Sequence, residues 1–293
     1  MKVVIDFFRL IRIRNLIIIL LTQVFAYYFL TPTISLSNLI EKDFLLLLSA
    51  TCLVAAAGYI INDYMDVMLD LVNKPEKVIV GKTISRRWAM LLHFACSLSA
   101  LSFAWAINKK VAVMVLFCSI CLWIYSQFLK RTYLAGNLLV ALLTAFTLWI
   151  IFAFDPDVNS SGIWVYGIFA FIATLLREII KDTEDLRGDQ KFKCKTLPIV
   201  LGIRQTKQVL IWLQAILLIL SFVYCSFFSA LSVSGTQIYV LFLMYMMLFV
   251  IVPMVFMLWQ LKTADVKNDF TRLSILSKVI MLSGILSMVF WRF

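Results

Sequence analysis

Nine apolar runs, each close to the roughly 20 residues a helix needs to cross the hydrocarbon core of a bilayer, divide this chain from end to end. They fall near 15–30, 44–61, 88–107, 111–128, 134–153, 163–180, 208–229, 237–260 and 273–291. No water is present in lipid to satisfy exposed backbone groups, so runs of this kind fold as helices, and a bundle is what they can form. The composition agrees. Of the 293 residues 63% are hydrophobic, against about 45–50% in a soluble domain, and the mean hydropathy is +0.97. The expected architecture is an all-α integral membrane protein, with residues 1–293 as a single transmembrane domain of nine helices.

Charge tests the count. With the N-terminus placed in the cytoplasm, nine crossings put 23 of the 27 basic residues on the inner side, leaving Lys42, Lys109, Lys110 and Arg292 outside. A missed span would scramble that asymmetry. The expectation is therefore a protein of the cell (inner) membrane, with a cytoplasmic N-terminus and an external C-terminus. The net charge of +11 is then a property of cytoplasmic loops facing membrane lipids, and nucleic acid is not expected as a partner. Residues 1–14, with Lys2, Arg9, Arg12 and Arg14 among apolar side chains, read as an amphipathic lead-in at the interface. Of the six cysteines, five lie in apolar runs, where Cys packs as a small hydrophobe. Cys118-x-x-Cys121 has no second pair to complete a soft metal site. His93, the sole histidine, lies inside a span and reads as packing. Gly81-Lys82-Thr83 lacks the earlier Gly and the preceding strand of a P-loop. Pro253, inside the eighth run, predicts a kink that shapes a cavity.

Two cytoplasmic loops, about 62–87 and 181–207, have room for a site, and each opens on carboxylates. Asp63, Asp66 and Asp70 follow the second run, spaced i, i+3, i+7. Asp182, Asp185 and Asp189 repeat that spacing after the sixth run. On a continuous helix each trio lies on one face, within about 60°. Like charges so close require a cation among them: a divalent metal, basic side chains, or water. Lysine-rich sequence follows both trios. Acid and base at one address suit a diphosphate bridged by Mg2+, which takes one or two carboxylates and completes its shell with phosphate oxygens and water. An apolar cavity behind such a site points to a lipid diphosphate. Ionisation of an allylic diphosphate, with the cation shielded from water and faced by aromatic rings, is the chemistry such a cavity favours. The alternative of an ion-coupled transporter is weaker, since transporters place their carboxylates near the midplane rather than at one face.

These residues resemble a known family. Asn62-Asp63-x-x-Asp66-x-x-x-Asp70 and Asp182-x-x-Asp185-x-x-x-Asp189 are similar to the two aspartate-rich motifs of the UbiA superfamily of intramembrane prenyltransferases. Asn73-Lys74-Pro75-Glu76-Lys77 resembles the segment after its first motif, with Lys for Arg at 74 and 77 and Val78 for Pro. Tyr125-Ser126, Leu129-Lys130-Arg131 and Gly136-Asn137 resemble its fourth-to-fifth helix connection. Arg177-Glu178-Ile179-Ile180-Lys181-Asp182 and Lys195-Thr196-Leu197-Pro198 look most like the group that prenylates a glycerol-phosphate ether lipid on oxygen. The resemblance implies a nine-helix bundle around a central apolar cavity and Mg2+ as cofactor. It implies an isoprenyl (geranylgeranyl) diphosphate donor and a lipid acceptor, with an aromatic quinone precursor or haem as alternative acceptors. It assigns metal binding to Asp63, Asp66, Asp70, Asp182, Asp185 and Asp189. Catalysis rests most on Asp63, Asp66, Asp182 and Asp185, and diphosphate contacts on Asn62, Lys74, Lys77, Lys130 and Arg131.

Overall fold

The structure is a computed structural model that describes residues 2–31, 33–73, 75–158, 161–231 and 236–292. An amphipathic helix, α1 (Lys2–Leu10), leads into α2 (Ile13–Phe29). Then come α3 (Lys42–Met65) with its short extension α4 (Val67–Asn73), and the hairpin α5 (Arg86–Ile107) and α6 (Lys109–Gln127). Next are α7 (Ala135–Phe154) and α8 (Ser161–Glu184) with its extension α9 (Leu186–Lys191). The chain closes with α10 (Leu197–Leu231), α11 (Thr236–Tyr245), α12 (Val252–Thr263) and α13 (Lys267–Leu286). Among the described residues the only β contact is an isolated bridge between Val80 and Ile84.

Among the described residues, eight helices are long and apolar enough to cross a membrane. The first expected span, Ile13–Phe29, is apolar but has only 17 residues. At 1.5 Å per residue it reaches about 26 Å, short of a hydrocarbon core of about 30 Å. Trp88, Leu91, Leu98 and Trp105 of α5 face outward, the apolar surface that a membrane-spanning helix turns to lipid. Inside, several polar side chains tie helices together. Gln23, fully buried on α2, donates from Nε2 to Thr51 Oγ1 of α3 (3.1 Å) and to the Thr147 carbonyl of α7 (2.9 Å). His93 is buried, with Nδ1 3.0 Å from the Ala57 carbonyl, and its ring lies against Phe94 and Trp123. It is a packing residue, as read from sequence. All six cysteines are free.

Helix ends are set locally. The Ser85 hydroxyl accepts the Trp88 N–H to cap α5, and Asn108 Oδ1 accepts the Val111 N–H to cap α6. Asn108 Nδ2 also donates to the Ala153 carbonyl at 3.0 Å, which ties that hairpin to the end of α7. Two expectations are corrected. The seventh run does not begin at 208: helix runs from Leu197, interrupted at Gly202, whose φ of 79° a non-glycine residue adopts at a cost. Pro253 does not shape the central cavity. The π-helical turn Met246–Ile251 absorbs the missing N–H ahead of it, and that whole segment lies away from the cavity walls.

Candidate active site

Both acidic motifs sit where a membrane helix breaks. α3 ends at Met65 and α4 starts at Val67, with Asp66 between them at φ −93°, ψ 3°. α8 ends at Glu184 and α9 starts at Leu186, with Asp185 between them at φ −94°, ψ 8°. This is the bridge region of backbone space. The expected single helical face is therefore corrected: the middle carboxylate of each trio is the joint. Each joint residue bonds to both flanking helices. Asp66 N–H reaches the Asn62 carbonyl at 3.0 Å and Asp70 N–H the Asp66 carbonyl at 2.8 Å. Asp185 N–H reaches the Lys181 carbonyl at 2.9 Å and Asp189 N–H the Asp185 carbonyl at 3.2 Å. Each joint residue thus closes one helix with its N–H and opens the next with its carbonyl.

The two joints open on one cavity of about 1520 Å³. Its walls include Asn62, Asp63, Asp66 and Asp70 from the first motif and Asp182, Asp185 and Asp189 from the second. Val54, Leu122, Leu143, Phe146 and Ile150 continue it as an apolar wall. The extensions meet directly, because Gly188 of α9 lies so close to the Asn73 side chain of α4 that a Cβ there would overlap the amide. A side chain at 188 would push the two acidic ends apart.

Cations sit among the carboxylates. Lys130 Nζ pairs with Asp66 and donates to Asn62 Oδ1 at 3.3 Å. Burial works against the Lys130 charge, but the field of Asp66 outweighs it, so the ammonium's pKa is raised. Its turn, Leu129–Arg131, is held from both sides. Gly136 lets α7 come close enough that a Cβ would stand 2.7 Å from the Leu129 carbonyl, and Lys195 N–H donates to the Arg131 carbonyl at 2.8 Å. Arg131 also lines the cavity. On the second motif, Asn137 Nδ2 donates to Asp182 Oδ2 at 2.7 Å. Asp189 is buried, and Thr196 Oγ1 lies 3.5 Å from its Oδ2. Burial, with the neighbouring Asp185 charge, pushes the Asp189 carboxyl up to about 6. Lys74 and the side chain of Lys77 lie outside the described residues.

Other side chains complete the site. Arg12, at the α1–α2 joint, adopts a left-handed backbone (φ 52°). Its Nη2 donates to Asp63 Oδ1 at 2.8 Å, and its guanidinium lies 4.7 Å from the Tyr59 ring centroid. Glu178 is buried between Arg177 (2.7 Å) and Lys181 (3.0 Å). Lys278 of α13 reaches the same cavity. Sequence reading gives Arg12 to the interface, Asn137 only to a resembling segment, and Lys278 to loop charge. The available signal was a polar residue within two turns of the end of an apolar run.

The donor set fits magnesium. It is all oxygen, from carboxylates and amides, which suits a hard cation. Among the described residues no three carboxylates converge tightly enough to hold a metal by themselves. Mg2+ does not require that, since substrate phosphates and water supply most of its shell.

Known proteins share this fold. The chain is 35% identical over 178 residues to digeranylgeranylglyceryl phosphate synthase of Methanosphaera stadtmanae, covering 60% of this chain and 65% of that one, so the match spans just under two thirds of the relative. In three dimensions it resembles a solved digeranylgeranylglyceryl phosphate synthase, with TM-score 0.70 at 20% identity, covering 99% of each chain. It also resembles a UbiA homologue from Archaeoglobus fulgidus bound to GPP and Mg2+, with TM-score 0.66 at 19% identity, covering 97% of this chain and 99% of that one. Residues 19–279 match the UbiA prenyltransferase family, the stretch that holds both acidic joints, Lys130 and the apolar wall. By that match the chain belongs to the UbiA prenyltransferase family.

Proposed function

We propose that the protein transfers a geranylgeranyl group from its diphosphate to the hydroxyl of a glycerol-phosphate ether lipid, with Mg2+ as cofactor. The observation that carries this reading is that both acidic joints, Asp66 and Asp185, line one cavity with an apolar extension. The named relative, digeranylgeranylglyceryl phosphate synthase, supports the acceptor class, and the GPP- and Mg2+-bound homologue supports the donor class and the metal. In this reading α2 is a ninth, tilted or thinly covered crossing. The N-terminus and both acidic ends face the cytoplasm, and the C-terminus lies outside.

Asn62, Asp63, Asp66 and Asp70 would hold one metal-bound end of the diphosphate, and Asp182, Asp185 and Asp189 the other. Lys130 and Arg131, with Lys74 and Lys77, would take the remaining phosphate charge. Bound Mg2+ supplies charge neutralisation to the departing diphosphate. The allylic C–O bond breaks with its electron pair going to the diphosphate. The acceptor oxygen then bonds to the allylic carbon, and its proton goes to a diphosphate oxygen. Tyr59, Tyr125 and Phe146 line the cavity and can face the allylic cation, while the apolar wall keeps water from it.

The test is transfer by the reconstituted protein. Labelled geranylgeranyl diphosphate is offered with a glycerol-phosphate ether lipid or with hydroxybenzoate, with Mg2+ or with EDTA. Mg2+-dependent labelling of the ether lipid supports the reading, and labelling of the aromatic acid alone overturns the acceptor assignment.

A further inference from the structure

The second basic group in the cavity is not absorbed by the metal-diphosphate arrangement. Arg12, Arg177, Lys181 and Lys278 come from three separate parts of the chain: the α1–α2 joint, the end of α8, and α13. All four line the cavity, and their charges act on one another across it. Three carboxylates answer them: Glu178, Asp63 and Asp182, the last also held by the neutral amide of Asn137. Four cations against three anions leave a local excess of about one positive charge, of the sign that a phosphate monoester needs.

The geometry has an opening for such a group. Arg177 uses Nη1 on Glu178, while its buried Nε has no hydrogen-bond partner. One turn deeper on α8, the Thr174 hydroxyl is buried and likewise without a partner, and Thr174 lines the same cavity. A buried guanidinium N–H left unmatched is costly, and a planar guanidinium is suited to a phosphate edge. Glu178 holds Arg177 and Lys181 in place from the other side. Of the eight basic residues from Arg177 to Lys207, only Arg177 and Lys181 reach the cavity. A general electrostatic pull by that loop is thus not what gathers charge here.

We infer that Arg12, Arg177, Lys181 and Lys278 form a second anion subsite, separate from the metal-diphosphate site, which takes the phosphate monoester of the acceptor. This rests on the function proposed above. It makes the phosphate, rather than the ether chains, the part of the acceptor the protein selects.

The test uses the full-length protein in lipid nanodiscs, with a glycerol-phosphate ether lipid and its dephosphorylated alcohol as paired probes. Binding of each is measured without donor, and binding of geranylgeranyl diphosphate with Mg2+ is measured separately. The wild type is expected to prefer the phosphorylated probe by about tenfold or more, the worth of one or two charged hydrogen bonds. Lys278→Met and Arg177→Gln should each narrow that preference several-fold, Lys278→Arg should keep it, and donor binding should hold in all three. Lys278 is exposed to the cavity, so its replacement leaves the core intact. An undiminished preference in both charge-removing variants overturns the subsite. So does a loss confined to geranylgeranyl diphosphate, which would assign these cations to the donor. A wild type that binds no geranylgeranyl diphosphate with Mg2+ would instead sink the proposed function, and the phosphate preference is read independently of that.

Discussion

Asp66 and Asp185 hold the same backbone conformation, within a few degrees, each at the joint between a membrane helix and a short surface helix. The chain thus presents two equivalent carboxylate corners to one cavity. If each corner holds metal and phosphate, neither can substitute for the other. Asp66→Asn and Asp185→Asn should each lower the transfer rate by at least about a hundredfold. Asn keeps the shape of the joint, so helical content and thermal unfolding should match the wild type. A variant that retains half its activity would remove that corner from the chemistry.

Lys130 serves as the resident counter-charge of Asp66, whose side chain is only 3% exposed. Lys130→Met strands that carboxylate, a loss of about 3 kcal/mol for a buried pair. In EDTA the variant should unfold at a lower temperature than the wild type. Mg2+ can take over the same oxygen, so adding it should raise the variant's melting temperature more than that of the wild type. Equal responses of the two proteins to Mg2+ would argue that the metal does not meet Asp66.

Asp189 gives a pH dependence. Burial raises its carboxyl from the ordinary 3.8 to about 6, so the folded state holds that proton more tightly than the unfolded chain does. The corresponding stability is complete below about 3.8 and is lost as pH rises through about 6. In EDTA the melting temperature should therefore carry a downward slope from pH 4 to pH 7, which Asp189→Asn flattens. Mg2+, which binds the ionised form, should restore stability at the upper end of that window. A slope unchanged in Asp189→Asn would assign it to other groups.

The contact between Gly188 and Asn73 couples the two acidic ends. Gly188→Ala should raise the KM for the donor several-fold, because the added Cβ forces α4 and α9 apart. Asn73→Gly in the same chain removes the clash and should recover part of the loss. Kinetics of the two single variants and the double variant measure this coupling.

The helices were legible in the sequence because lipid leaves a long apolar run few other options. The lysine and arginine asymmetry placed both carboxylate trios on the same side of the membrane as the basic loops, an expectation that the proposed function retains. The joints were not legible. Neither Gly nor Pro stands between Tyr64 and Met68, so spacing alone reads as one continuous helix. Arg12 was hidden for another reason. Its partner Asp63 is 51 residues away, and a basic residue ahead of the first apolar run is already explained by topology. The 17-residue α2 shows the limit of the span count, because the apolar run there ends before the length criterion is met.

The central claim is that both acidic joints hold one diphosphate through magnesium. It is tested most directly by the binding of a non-ionising geranylgeranyl thiodiphosphate to the reconstituted wild type, Asp66→Asn and Asp185→Asn, each with Mg2+ and with EDTA. The account predicts saturable binding by the wild type only with Mg2+, and a loss of about tenfold or more in either variant. Binding that survives EDTA, or that is unchanged when either aspartate is replaced, would contradict it.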